Sequence, residues 1–233
     1  MNNVSAILNQ MVQLTKEQEA QLEAYYQELV KTSKVMNLTT ITDYEDVYIK
    51  HFYDSMFVLK EVEITPQMKL LDIGSGAGFP GLVLKIVYPE VDITLLEPTK
   101  KRCDFLETVI KKLGLQHIQV INDRAENYIK EKRESFDLVV ARAVANISMI
   151  SELAIPYLKV NGLFLAMKGQ NYEEECQNID HILHQLSSKV SKYLHYDLPL
   201  EKGKRVIIRI QKLKKTPLLY PRTYAKIKNK PLE

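Results

Sequence analysis

A glycine loop set between two apolar strands constrains this chain more than any other feature. Residues 69–81 read Lys-Leu-Leu-Asp-Ile-Gly-Ser-Gly-Ala-Gly-Phe-Pro-Gly, a short strand that ends in Asp72 and runs into Gly74, Gly76, Gly78 and Gly81. Glycine takes positive φ at little cost and lets a ligand reach the main chain without meeting a Cβ. Leu82 to Tyr88 then read as a helix, and Val91 to Glu97 as a second apolar strand closed by a carboxylate. An acid at the tip of the second strand, about twenty residues past the first glycine, is placed to accept both hydroxyls of a ribose. The order strand, glycine loop, helix, strand, acid predicts a nucleoside cofactor lying against the backbone.

The spacing selects among cofactors. A dinucleotide fingerprint needs Gly-x-Gly-x-x-Gly, and the position three after Gly76 is Phe79, so the pyrophosphate pattern fails where its helix would begin. The alternation Gly74, Gly76, Gly78 behind Asp72 is the pattern of S-adenosylmethionine enzymes, whose cofactor carries no phosphate. Two other readings stay open on the residues alone: a turn that serves only chain reversal, and a nicotinamide enzyme.

The rest of the chain predicts a regular alternation. Leu14 to Val30 carries a capping-box start at Thr15 and Gln18 and an apolar stripe at Leu22, Tyr25, Tyr26, Leu29 and Val30, the signature of an amphipathic helix. Residues 43–62 read as a second helical segment, and 99–113, 148–158 and 172–190 as further helices. Strands are expected at 118–121, 136–140, 162–167, 193–198 and 205–213, the last with Val206, Ile208 and Ile210 inward. Strands alternating with helices and closing on a hairpin describe an α/β fold with a doubly wound, Rossmann-like, mostly parallel seven-stranded sheet. This is the class I S-adenosylmethionine-dependent methyltransferase architecture with an N-terminal helical extension. The expected division is residues 1–65 packed on the core, a core at 66–215 and a basic tail at 216–233.

Charge is uneven. The 233 residues carry a net +3, yet positions 202–230 hold eleven Lys or Arg and no acid. Such a stripe suits phosphates, with Tyr220 and Tyr224 available for stacking. Lys212, Lys214, Lys215 and Arg222 are the expected RNA contacts, against a bland reading in which the same charges are a solvated face. No run of about eighteen apolar residues occurs and no basic region precedes an apolar one at the N-terminus, so a cytoplasmic protein is expected, with no membrane partner. Cys103 and Cys176 lack metal-site spacing and read as ordinary thiols, and no metal is expected. His51 and Asp54 fall on the second helical segment, where a His-Asp hydrogen bond is the expected arrangement.

Several further motifs carry a resemblance. Met-Asn-Leu-Thr-Thr-Ile (36–41), His-Phe-Tyr-Asp-Ser (51–55), the 72–81 loop, Asp-Arg-Ala-Glu (123–126), Ala-Arg-Ala-Val-Ala (141–145), Lys168-Gly169, Tyr-Pro-Arg (220–222) and Pro231-Leu232 together resemble the bacterial small-subunit ribosomal RNA methyltransferase G family over nearly the whole chain. The chain departs from the family's pattern at Thr32-Ser33 and at Ala225 to Ile227. The resemblance implies methyl transfer from S-adenosylmethionine to N7 of a guanine in 16S ribosomal RNA; the expected partner is 16S rRNA or the small ribosomal subunit, and the protein is expected to be a monomer. It also implies cofactor contacts at Gly74, Phe79, Ala125, Glu126 and Arg142, to which the spacing argument adds Gly76 and Glu97. On the residues alone, Glu126 is equally a helix-start acid, and Arg142, at a strand tip, either holds the cofactor carboxylate or meets RNA.

Absent motifs limit the chemistry. After the fourth strand stands Ala141-Arg142-Ala143-Val144, neither the Asn/Asp-Pro-Pro-aromatic tetrad of amino-methylating enzymes nor a cysteine nucleophile. Guanine N7 presents an unprotonated lone pair and needs no general base, so no catalytic residue is expected beyond in-line positioning. A small-molecule or protein methyltransferase, and a non-enzymatic RNA-binding protein with a vestigial pocket, remain as alternatives.

Overall fold

The computed structural model describes residues 3–232. Seven strands form one sheet: β1 (Lys69–Ile73), β2 (Asp92–Leu96), β3 (Ile118–Ile121), β4 (Phe136–Arg142), β5 (Leu158–Gly169), β6 (Ser188–Asp197) and β7 (Lys204–Lys212), in the order β3-β2-β1-β4-β5-β7-β6. The first five strands are mutually parallel, and β7 runs antiparallel between β5 and β6. The chain steps outward from β1 to β3 and then returns to the other side of β1 as β4. The strand order therefore reverses between β1 and β4, where open α/β sheets hold their ligands.

Helices cover both faces because the central strands are apolar on both sides. On one face pack α1 (Asn3–Asn9), α2 (Lys16–Met36), α3 (Tyr44–Val47), α4 (Asp54–Met56), α5 (Gly81–Val87) and α6 (Lys100–Leu113). On the other lie α7 (Ala125–Lys132), α8 (Ile147–Ala154), α9 (Tyr172–Glu175), α10 (Ile179–Gln185) and α11 (Tyr224–Asn229). The Thr15/Gln18 capping box forms as the sequence predicts, and Asn37 ends α2 in the left-handed region at φ 48°. Leu22, Tyr25 and Leu29 of α2 are fully buried in the same core as Leu82 and Leu95. Each such side chain contributes about 1.5–3 kcal/mol of transfer free energy, so the N-terminal helices share one core with the sheet. Between α3 and α4 the backbone widens into a π-helical turn at Tyr48–Tyr53, and a 3₁₀ turn, Phe57–Lys60, closes the segment.

The seven strands fall where the sequence predicts, with three corrections. The 172–190 helix is two short helices, and residues 188–190 belong to β6. The Ile179, Ile182, Leu183, Leu186 spacing continues to Val190 by helical periodicity, but hydrogen bonding to β7 from Ser188 onward overrides it. In β7, Ile207 is as buried as Val206 and Ile208, because this strand is covered on both faces. Lys212, expected at a phosphate, is 0% exposed; its Nζ donates to the carbonyls of Leu158 and Ile155 and to Glu134 at 3.0 Å. Burial pushes its ammonium below the ordinary lysine value, with Glu134 opposing the shift.

Two outcomes test this packing. A Cβ at Gly78, where φ is 100°, would stand 2.6 Å from Tyr25 Oη and 2.4 Å from Leu82 Cδ1, so Gly78→Ala should destabilise the fold by about 1–3 kcal/mol in a denaturant titration. Lys212→Ala strands Glu134 and two carbonyls and should lower stability by about 3 kcal/mol, read as a drop in the thermal unfolding midpoint.

Candidate functional site

The glycine loop is shaped by two strand-tip carboxylates. Asp72 is fully buried, and its Oδ2 accepts from the Gly81 amide at 2.9 Å. Glu97, 1% exposed, accepts from the Gly76 amide at 3.0 Å and the Thr99 amide at 2.9 Å. Burial pushes the Asp72 carboxyl up to about 7, against the Gly81 hydrogen bond that lowers it. At Gly76, φ is 58° and an added Cβ would meet only the Gly74 carbonyl oxygen, at an ordinary contact distance of 3.8 Å. This position turns the chain toward the cavity, whereas Gly78 is required by packing behind the loop.

In front of the loop lies a cavity of about 400 Å³, walled by the 74–77 backbone, Phe79, Glu97 to Thr99, Arg102, Leu38, Thr39, His51 and Arg142 to Val144. Its volume is that of a small-molecule site, in the range of about 300–1,000 Å³. Glu97 spends two of its four lone-pair positions on backbone amides, which leaves two for a ligand diol. The lining, an open glycine face and a carboxylate with spare acceptors, fits a nucleoside such as that of S-adenosylmethionine, while the Phe79 ring is stacked by Tyr25 and His51. A larger open groove of about 470 Å³ lies at the opposite end of the strands, around Lys69, Asp92 and His117. It contains none of the loop and none of the strand tips.

A second cavity of about 370 Å³ adjoins the first and shares His51, Arg142 and Ala143 with it; Ile41, Lys50, Asp54, Met167 to Gly169 and Arg205 complete its wall. Arg142 is the partition. Its guanidinium donates to Lys50 O at 3.0 Å, to His51 Nδ1 at 3.0 Å and to Asp54 Oδ2 at 3.3 Å, and stacks over Phe79 at 4.8 Å. Guanidinium offers no acceptor, so His51 Nδ1 accepts and the ring proton sits on Nε2, facing Thr39 Oγ1 at 3.2 Å. Burial and the neighbouring Arg142 charge hold the His51 pKa at about 3. The expected His-Asp hydrogen bond is replaced by separate bonds that Arg142 donates to each residue.

Of the expected cofactor residues, Gly74, Gly76, Phe79, Glu97 and Arg142 share the first cavity's wall. Ala125 and Glu126 do not line it. Ala125 starts α7 and gives its carbonyl to Tyr157 at 2.6 Å, while Glu126 pairs with Arg124 at 2.8 Å. Arg222, expected at RNA, is instead a structural ion pair: it donates through its side chain and backbone to both oxygens of Glu152, which is 0% exposed. Lys214 and Lys215 are exposed, but they follow Lys212, which bonds the start of β5. They therefore stand at the end of the sheet away from both cavities. The cations at the cavities are Arg102 at the first, Lys50, Lys168 and Arg205 at the second, and Arg142 at both, and of these the sequence singled out only Arg142 as a cofactor residue. Asp54, Lys50, Tyr196 and Arg205 carry no motif that marks their convergence, since they come from the second helical segment and from the far edge of the sheet.

Comparison with known proteins agrees with this architecture. The family profile of rRNA small subunit methyltransferase G matches residues 18–203. Ribosomal RNA small subunit methyltransferase G of Oceanobacillus iheyensis is 42% identical over 232 residues, 99% of this chain and 98% of that protein. Its counterpart in Streptococcus gordonii is 44% identical over 226 residues, 96% and 95% of the two chains. Among solved structures, the YcgJ protein from Bacillus subtilis superposes with a TM-score of 0.54 at 14% identity, covering 70% of this chain and 100% of that one. The 16S rRNA (adenine(1408)-N(1))-methyltransferase of Catenulisporales acidiphilia gives 0.53 at 13% identity, covering 70% and 95%. These two share the fold alone. With its sheet order, its loop and a match that spans most of its length, the chain belongs to the rRNA small subunit methyltransferase G family.

Proposed function

We propose that this protein transfers a methyl group from S-adenosylmethionine to the N7 atom of a guanine in 16S ribosomal RNA. The observation that carries the reading is the pair of adjoining cavities at the strand tips, one fitting a nucleoside and the other bordered by Arg205, with Arg142, His51 and Ala143 shared between them. Family membership supports the ribosomal RNA substrate, and attack by the unprotonated N7 lone pair needs no general base. His51 is neutral, but its one acceptor nitrogen is occupied by Arg142.

In the first cavity, Gly74, Gly76, Phe79 and Glu97 hold the methyl donor, Glu97 through its two unused lone pairs, with Ala125 and Glu126 at the next strand tip as outer contacts. When bound, S-adenosylmethionine supplies a sulfonium methyl whose bond to sulfur breaks as the N7 lone pair forms the new carbon–nitrogen bond; no proton is released. Arg205 offers the RNA backbone a cation at the rim of the second cavity, which admits one extruded base, while Lys50 and Lys168 are held in ion pairs with Asp46 and Glu175. The partition holds donor and acceptor in line, and such positioning is worth several kcal/mol. Exposed Lys214 and Lys215 add long-range attraction for phosphates. The same reading places the protein in the cytoplasm as a monomer acting on 16S rRNA or the small subunit. Residues 1–65 serve as wall and partition support, 66–215 as catalytic core and 216–233 as tail.

Borohydride reduction and aniline cleavage of treated 16S rRNA should reveal one new break, the signature of a cationic 7-methylguanine; methyl label on an adenine amino group or a pyrimidine carbon would refute the proposal. Glu97→Ala should weaken S-adenosylmethionine binding by about 1–3 kcal/mol in calorimetry. With its pKa held near 3, His51 is already deprotonated at neutral pH. Lowering the pH through the ordinary imidazole range should therefore produce no His51 limb in the rate profile, and a fall of activity centred near 6.5 that disappears in His51→Gln would contradict this assignment.

A further inference from the structure

The Arg142 guanidinium has five N–H donors, and the protein uses three: two from Nη1, to Lys50 O and Asp54, and one from Nη2, to His51. The Nε hydrogen and the second Nη2 hydrogen have no protein partner among the described residues, and the side chain borders both cavities. Its support is unusually complete. Asp54 is 3% exposed, and its Oδ1 accepts from Tyr196 Oη at 2.7 Å while Oδ2 takes Arg142. The Tyr196 ring lies flat on Phe57, centroids 3.7 Å apart and planes 5° from parallel. Asp54 and Phe57 thus grip the phenol by head and face, and Arg205 Nε stands 3.9 Å from the same carboxylate.

We propose that Arg142, aimed by the Asp54–Tyr196 pair, is the group that distinguishes guanine from adenine in the second cavity, with its spare donors directed at the oxygen on purine position 6. This inference rests on the function proposed above. Beside N7 a guanine carries the O6 acceptor, and an adenine carries an amino donor. Donors held rigidly by Asp54, His51 and the Phe79 face bond the first and repel the second, which leaves N7 itself free for the methyl group. An arginine fixed on one side by a buried carboxylate keeps this aim; a loosely held one would follow either base. Asp54 and Tyr196 are positioning residues: both Asp54 oxygens are taken, by Tyr196 and by Arg142.

The test compares small subunits that contain 16S rRNA with guanine at the methylated position, located by aniline cleavage, against subunits carrying 2,6-diaminopurine there, which keeps N7 and the 2-amino group and changes position 6. Native enzyme should methylate guanine at least about 10- to 100-fold faster, the size of a base-specific arginine contact. Asp54→Asn should reduce kcat on guanine by about tenfold and shrink that ratio severalfold, a change in base preference that weaker cofactor binding alone would not produce. Tyr196→Phe, which keeps the ring stacked on Phe57, should move both readouts in the same direction by less and guards against misfolding of the first variant. Equal native rates on the two bases, or an unchanged ratio in a folded Asp54→Asn or Tyr196→Phe protein, would overturn the inference while leaving the proposed function standing. Absence of transfer to the guanine subunits by native enzyme would overturn both.

Discussion

The Asp72 carboxylate accepts from the Gly81 amide and the Glu97 carboxylate from those of Gly76 and Thr99, so the loop between β1 and α5 is tied at both ends to the tips of adjacent strands. Every other feature of the site is placed relative to this tie. Because Asp72 is fully buried, the bond that orders the loop sets a dipole against a carboxyl whose charge is penalised, and Asp72 Oδ1 has no partner among the described residues. Glu97 is arranged differently: it satisfies two amides and borders the cavity with lone pairs to spare.

The second organising element is the 44–60 segment. Its π-helical turn brings Lys50 O, His51 and Asp54 to one side, where all three meet Arg142 from the tip of β4. Each of these contacts spans about ninety residues of chain, so the partition between the cavities exists only when the N-terminal helices are docked. Tyr25 of α2 strengthens this coupling, since its hydroxyl donates to Ala77 O inside the glycine loop and its ring stacks on Phe52 and Phe79. The helical extension therefore supplies part of the site wall as well as covering one face of the sheet.

The basic charge shows how composition and position separate. Eleven cations crowd the last part of the chain, and read as a stripe they suggest one continuous phosphate-binding face. Folding divides them among different tasks. Lys212 is buried beneath the start of β5, Arg222 is locked on Glu152, and Lys202 pairs with Glu45 and Asp46 at 2.8 Å each. Arg205 is carried to the cavity rim because β7 runs antiparallel, which places its first residues beside the tips of the parallel strands and its last residues at the far end. A run of charge along a strand cannot reveal that its two ends serve opposite poles of the molecule.

Local pattern determined the architecture. Alternating apolar strands and helices, the capping box at Thr15 and the glycine spacing behind Asp72 are short-range signals, and seven strands with a nucleoside loop at β1 follow from them because periodicity and turn chemistry act over a few residues. The cavity-wall residues Gly76 in the loop and Glu97 at the tip of β2 were legible for the same reason, while Gly74 and Phe79 came from the family resemblance. Tertiary structure alone decided the second cavity, the partners of His51 and Asp54, and the fate of Lys212 and Arg222. Those depend on which distant segments pack together. A buried ion pair or a shared arginine is fixed by burial and geometry across the fold, and neither leaves a period or a spacing in the chain.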